Sequence, residues 1–381
     1  MKIGINTLYL LPGKVGGSET YIRNLIKYLP QVDQDSEYIV FSNRESTGIF
    51  ASMTPNIKVV SCPVTATHRP QRILWEQAVL PLYVKRHGID ILLSAGMTAP
   101  VYCPATSVLM LFDLQHINQP ENFPFYYLPF LRSIIYASAK SADGVLTISH
   151  QVKSDIVRSY HISPENVQVT HLAVDHALYT TIGPSDSEEI KARYGLPDRF
   201  ILYAASSLPH KNHGRLLQAF ELVRRRIPDL GLVLIGARDK GYEALAQQIA
   251  ASGLTQEVLL LAWLPFEEVP SIFRACEAFV FPTLHEGFGL PVIEAMACGV
   301  PVVCSKIEPL MEIAGDAAFF VDPYSQDKIS EGISSVLLDL PLRQSLIEKG
   351  KSRCREFTWE ATARKTLHFL QSVHMARRRN R

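Results

Sequence analysis

The sequence is short of every feature that would place it in an extreme class of protein. It has almost no net charge, 38 Lys and Arg against 37 Asp and Glu over 381 residues, so a nucleic-acid or other polyanionic partner is not indicated. Its six cysteines (Cys62, Cys103, Cys276, Cys298, Cys304 and Cys354) lie far apart and form no C-x-x-C pair. Neither a zinc site nor a disulfide framework is suggested, which fits a reducing, cytoplasmic setting. No apolar run approaches the roughly 18 residues of a membrane span. The N-terminal MKIGINTLYLL meets Pro12 and Gly13 too soon for a signal-peptide core and reads as a first strand. The one local charge excess, ARRRNR at Ala376–Arg381, reads as a solvated tail, with a membrane-surface role as the alternative.

What is present is an ordinary soluble composition, 47% apolar and 20% charged, on a chain long enough for two or three domains. Short β-branched runs alternate with longer amphipathic ones. Strands are expected at Lys2–Leu8, Tyr38–Ser42, Ile57–Ser61, Ile91–Ser94, Ser107–Phe112, Val145–Ser149 and Val167–Leu172. Helical periodicity falls at Ser18–Leu29, Ile73–Arg86, Leu131–Ser138 and Gln151–Tyr160. The scheme restarts with strands at Phe200–Ala204, Gly231–Ile235, Val258–Ala262, Ala278–Phe281, Pro301–Cys304 and Ala318–Val321. Strands apolar on both faces and separated by helices imply parallel sheets covered on both sides. The polar YTTIGPSDSEE, Tyr179–Glu189, is the expected linker, which joins two doubly wound α/β domains near residue 183. In such sheets ligands bind beyond the carboxyl ends of the strands.

One such end reads PTLHEGFGLPVIEAMACGVPVV, Pro282–Val303. Gly287 and Gly289 stand between a buried strand and a helix with Pro291 in its first turn. Backbone N–H groups and the positive end of the helix dipole meet there and favour a phosphate. Glu294, about one turn into the helix, suits hydroxyl groups, as an acidic residue does for a ribose in dinucleotide folds. A tight turn with solvated glutamates explains the same spacing. Gly16 and Gly17 follow the first strand and precede a helix opening on Ser18 and Glu19; an ordinary N-cap explains them as well as a site does.

The Pro282–Val303 stretch resembles the E-x7-E signature of retaining glycosyltransferases of family 4, with both acids (Glu286 and Glu294), both glycines, Pro291 and EAMACG in agreement. GGSETYIRNLIKYL, RILWEQAVLP, DLQHINQPENFP, TISHQVKSDIVRSY, HLAVD, ILYAASSLPHKNHGRLLQAF and EIAGDAAFFVDP extend the resemblance over nearly the whole chain. It implies the GT-B fold, two Rossmann-like domains facing across a cleft. The expected organisation is an acceptor-binding domain at 1–182, a nucleotide-sugar domain at 183–356, and at 357–381 a helix returning to the first domain with the basic tail.

The resemblance also implies roles. Glu294 would hold the donor ribose and Glu286 the transferring sugar. Backbone groups of Gly287, Phe288, Gly289 and Leu290 would meet the diphosphate or sugar, with Gly16 and Gly17 on the opposite side. Lys211 would neutralise the leaving diphosphate. Many members carry arginines where this chain has Ser206 and His210, so the clamp rests on Lys211, Ser206 and backbone dipoles, with His210 as a partial substitute. Phe112 replaces the histidine of an H-D pair, and His116 stands in as a sugar or acceptor contact. The implied activity is retaining, metal-independent hexosyl transfer without a cofactor. GDP-mannose is the expected donor, and a glycan or lipid-linked acceptor at the inner membrane face the expected partner. The alternatives are a UDP-hexose donor, a nucleotide-sugar epimerase or a non-catalytic nucleotide-sugar binder.

Overall fold

The computed structural model describes residues 1–14, 16–50, 57–180, 186–236, 241–262 and 264–379. The chain divides into two compact units, one formed by Met1–Leu172 with Trp359–Arg381 and the other by Ala173–Thr358.

The first unit is built on a seven-stranded sheet of β1 (Lys2–Asn6), β2 (Glu37–Ser42), β3 (Ile57–Ser61), β4 (Ile91–Ser94), β5 (Thr106–Leu111), β6 (Gly144–Thr147) and β7 (Val167–Val169). Their order is β3-β2-β1-β4-β5-β6-β7 and the pairs are parallel throughout, Ile3 opposite Tyr38 on one side and Ile91 on the other. Every residue of β4 and β5 is buried, which is why their sequences run apolar without alternation. One core cluster gathers Leu109, Leu111, Val145, Ile156 and Tyr160. Another, beneath β2, gathers Phe41, Val84 and Leu92.

The second unit repeats the plan with β8 (Phe200–Ala204), β9 (Gly231–Ile235), β10 (Val258–Leu261), β11 (Ala278–Phe281), β12 (Val302–Ser305) and β13 (Ala318–Val321). The order is β10-β9-β8-β11-β12-β13, again parallel. In each sheet the winding reverses once, between β1 and β4 and between β8 and β11. A ligand crevice is expected at those reversals, because the loops that leave neighbouring strands part in opposite directions.

All thirteen expected strands are present within a few residues of their expected ends. Two expectations need correction. The expected helix Ile73–Arg86 is two helices, Arg69–Ala78 and Leu80–Arg86. Pro81 has no N–H to continue the ladder and instead occupies the first turn of the second helix. The domain junction lies at Leu172/Ala173, ahead of residue 183. The reason is Tyr179, in the short helix His176–Thr180, which packs edge-on against Phe273 and Phe266 of the second unit at 6.3 and 6.4 Å between ring centroids. Of the expected linker, residues 181–185 lie outside the described residues.

The last helix, Trp359–Arg379, belongs to the first unit. Trp359 lies 6.4 Å from Tyr21, and His374 Nδ1 is 2.8 Å from the Thr106 hydroxyl. Arg377 donates to Asp143 and to the Ala105 carbonyl, each at 2.5 Å.

Candidate active site

The loops after β8 and β11, the two strands at the reversal of the second sheet, bring most of the predicted residues together. The β11 loop begins with Pro282 and Thr283, both buried. The Ser305 hydroxyl at the end of β12 holds it by donating to the Thr283 carbonyl at 2.6 Å. The β8 loop closes with Asn212 in a left-handed conformation, φ 65°. Its amide donates to the carbonyls of Pro282 and Pro323, both at 2.8 Å. One short polar side chain therefore ties three strand ends to each other, a role that sequence reading missed. The available signal was an asparagine immediately before a helix, where left-handed backbone is tolerated.

Within this frame Lys211 Nζ lies 2.5 Å from Glu286 Oε1, both side chains mostly enclosed at 15% and 12% exposure. Lys211 also sits 5.8 Å above the Phe281 ring, and its carbonyl accepts from the Tyr203 hydroxyl at 2.5 Å. The cation is thus fixed from its backbone outward, not carried on a free stem. Leu284 N donates to the His210 carbonyl at 2.7 Å, so the two loops share a main-chain bond beside the ion pair.

Gly289 precedes the helix Leu290–Ala297 with φ 95°, and no side chain caps that helix. Phe288 is buried, edge-on to Phe357 at 5.9 Å, so its side chain anchors the turn. Ser206 is partly buried in the β8 loop. Gly236, just after β9, comes so close to the β8 loop that a β-carbon on it would lie 2.0 Å from the Ala205 carbonyl oxygen. Only glycine permits that approach.

Glu294 is half-buried on the same helix. Burial pushes its carboxyl up to about 7, against the opposing hydrogen bond of the Tyr179 hydroxyl. His210 is buried, with Nδ1 unpartnered among the described residues and its ring 6.4 Å from that of His285. Burial first, then Lys211 and His285, bring its pKa down to about 4. It is neutral at pH 7 and does not replace the arginine charge that was expected of it.

Gly16 and Gly17 belong to the first unit, Gly16 at φ 56° and Gly17 opening the helix Gly17–Val32. His116 also lies there and is not presented to a ligand. It is 2% exposed, its Nε2 is 2.6 Å from the Tyr160 hydroxyl, and its carbonyl accepts from Arg132 Nε at 2.8 Å. Burial, aided by Arg132, lowers its pKa to about 4. These contacts make it a core histidine, which corrects the role expected from its sequence position.

An ion-paired lysine and glutamate, an uncapped helix start behind a left-handed glycine, and a second acid one turn on can together hold a phosphate beside a polyhydroxyl group. Residues 15–178 match the family description "Glycosyltransferase Family 4" and residues 186–353 match "Glycosyl transferases group 1". The O-antigen chain mannosyltransferase B of Escherichia coli is 32% identical over 69% of this chain and 69% of its own. The chain belongs to the family 4 glycosyltransferases. The O-antigen chain mannosyltransferase RfbU of Salmonella typhimurium is 26% identical over 77% of this glycosyltransferase and 78% of its own length. Among solved structures, Anabaena HepE in complex with UDP and glucose superposes with a TM-score of 0.77 at 22% identity, covering 98% of this chain and all of that one. The fold is GT-B.

Proposed function

We propose that this glycosyltransferase moves a mannosyl group, with retention, from GDP-mannose to a hydroxyl of a lipid-linked or growing glycan. The Lys211–Glu286 pair at 2.5 Å carries the reading. In the free protein the two groups neutralise each other. A diphosphate would draw Lys211 to itself and leave Glu286 to the sugar, so the site exchanges one ion pair for two productive contacts. As the anomeric C–O bond to the phosphate breaks, charge grows on the leaving diphosphate beside Lys211. The acceptor oxygen bonds to the anomeric carbon on the same face, its proton passes to a donor phosphate oxygen, and Glu286 stabilises the positive sugar. Lys211 and Glu286 need no metal for these roles. Mannose is favoured by the E. coli relative; a UDP-hexose is the second reading, favoured by the ligand of the Anabaena protein.

A lipid-linked acceptor fits the surface of the first unit. Tyr102, Phe125 and Tyr126 are 77%, 86% and 75% exposed. Phe130 and Tyr136 follow on the exposed side of helix Leu128–Ser141, with Arg132 and Lys140 beside them. Apolar rings among cations suit the interface of an anionic bilayer. No helix among the described residues is long and apolar enough to cross a membrane.

The test is a thermal-shift panel of GDP, UDP, ADP and their sugars, since a ligand of the native state raises the melting temperature. The best donor is then incubated with an acceptor extract, and the product's anomeric configuration is read by NMR. GDP-mannose should give the largest shift and an α-linked product. A free, altered sugar nucleotide would identify an epimerase, and binding without transfer or donor hydrolysis a non-catalytic binder.

A further inference from the structure

The winding of the first sheet reverses between β1 and β4, and a buried network of polar groups lies at that reversal. Asn6 ends β1 and pairs in register with Ser94, the last residue of β4. Its side-chain amide donates to Glu76 Oε1 at 3.0 Å and to Ser94 Oγ at 3.3 Å. The Thr98 hydroxyl, in the loop after β4, donates to Glu76 Oε2 at 2.9 Å, and Arg72 Nη1 reaches the same oxygen at 2.7 Å. Glu76 is 0% and Arg72 7% exposed, and both stand on the helix Arg69–Ala78. A buried ion pair is a poor source of stability, because desolvation offsets most of its attraction. The reversal of a parallel sheet, in contrast, is where ligands are held.

The pair leaves Arg72 only partly used. Its Nη1 makes both bonds to the network, to Glu76 and at 3.4 Å to Thr98, whereas Nε and Nη2 donate to nothing among the described residues. A guanidinium carries its donors in a rigid fork, and donors in a buried side chain are seldom left without an acceptor. The start of the helix points the same way. His68 makes no capping bond and the first turn holds no acid. Arg69 is exposed, with no hydrogen bond or ion pair among the described residues. Two cations thus stand at the positive end of the helix dipole, where cations are unfavourable. The Glu45 carboxylate, held by Ala66 N and the Thr67 hydroxyl just ahead of the helix, balances one of them. An anion would balance the other, and a phosphate matches the unused edge of the fork. We propose that Arg72 and Arg69 form an anion subsite that takes a phosphate group of the acceptor, so that the preferred acceptor is a phosphate-bearing glycan and not a neutral one. The inference rests on the reading of the chain as a transferase whose acceptor lies on the first unit.

The subsite is read by titrating inorganic pyrophosphate calorimetrically into the protein saturated with GDP, or with UDP if that binds better, so that the nucleotide already fills the Lys211 site. Arg72→Lys keeps one cation against Glu76 but loses the free edge of the fork. It should weaken pyrophosphate roughly tenfold, the effect of losing one hydrogen bond to a charged group. Arg69→Gln, an exposed change that strips no partner, should weaken it severalfold. Nucleotide affinity should stay within about twofold in both variants, which shows that the fold is intact. No pyrophosphate binding by the nucleotide-loaded protein, or equal binding by both variants (an adventitious ion only), overturns the proposal. Equal weakening of nucleotide and pyrophosphate overturns it too, since the anion then belongs to the donor site. Transfer is next compared between two acceptors with the same sugar, one joined to an octyl chain through a phosphodiester and one joined directly. The ratio of kcat/KM, phosphodiester over direct, should exceed one and fall about tenfold in Arg72→Lys; an unchanged ratio overturns the acceptor assignment. If no nucleoside diphosphate binds, the donor reading fails by itself, and the dependence of pyrophosphate binding on Arg72 without nucleotide still decides the subsite.

Discussion

Gly289 stands so close to Leu310 that a β-carbon on it would lie 2.3 Å from Leu310 Cδ2, and its φ of 95° is one that side-chain-bearing residues rarely adopt. The turn presenting Glu286 and opening the helix of Glu294 therefore admits only glycine at this point. Gly289→Ala should cost about 1–3 kcal/mol of stability and reduce turnover more than the melting temperature alone explains. Chemical denaturation and initial rates on one preparation check this. An alanine variant with normal rates would mean that the turn is not part of the site.

Lys211→Ala and Glu286→Gln each remove half of the ion pair. Both should lower kcat by roughly a hundredfold or more, the scale of losing one group aimed at transition-state charge. The glutamine change should lower the melting temperature slightly, because Lys211, 15% exposed, loses its counter-charge but keeps a hydrogen-bond acceptor. The alanine change should lower it modestly, because Glu286, 12% exposed in the pair, loses its counter-charge. Steady-state kinetics decide, and near-normal turnover in either variant removes that residue from the mechanism.

With Glu294 as the proposed ribose contact, donor binding should depend on pH. Its carboxyl titrates at about 7; below that it carries a proton and accepts less well from hydroxyls. Nucleotide affinity should therefore rise from about pH 6 to 8, and Glu294→Gln should flatten the rise. Stability runs the other way. The folded pKa lies above the ordinary carboxyl value of 4.5, so the folded chain holds a proton that the unfolded chain releases. This group's contribution is present below pH 4.5 and is lost as the pH rises through 7. Melting curves across that range, with and without the glutamine change, check the sign.

His116→Phe should destabilise the protein by about 1–3 kcal/mol, because it strips the buried Tyr160 hydroxyl of its partner. It should leave kcat within about threefold, as expected of a residue that touches no substrate. A large loss of kcat at unchanged stability would return His116 to the active site.

Phe125→Ser with Tyr126→Ser should reduce sedimentation with vesicles of anionic phospholipid severalfold and leave transfer to a short water-soluble acceptor unchanged. Equal vesicle binding by the double variant would remove this face as the docking surface.

The central strands were legible in the sequence because they are buried on both faces and so read as unbroken apolar runs, as AFVF at Ala278–Phe281 does. The glycine turn was legible because its backbone tolerates so few residues. What escaped depends on side chains distant in sequence. His116 stands 44 positions from Tyr160, and only the folded core shows that the imidazole is enclosed. Asn212 bonds to carbonyls 70 and 111 positions away. Tyr179 stood in what read as a polar linker, and nothing local marks it as packed against Phe266 and Phe273. The break between the helices Arg69–Ala78 and Leu80–Arg86 was readable from Pro81, but the apolar period ran through it.

The return of helix Trp359–Arg379 to the first unit sets an order of assembly during synthesis. A ribosome delivers β1 to β7, then the whole second unit, and only afterwards the helix that covers Gly144 with Phe369 and Val373 and engages Asp143 through Arg377. The second unit is continuous and has all its strands before this helix is made, whereas the first must wait with part of one sheet face uncovered. Chains cut short before Trp359 would lack that cover permanently and present bare sheet to one another.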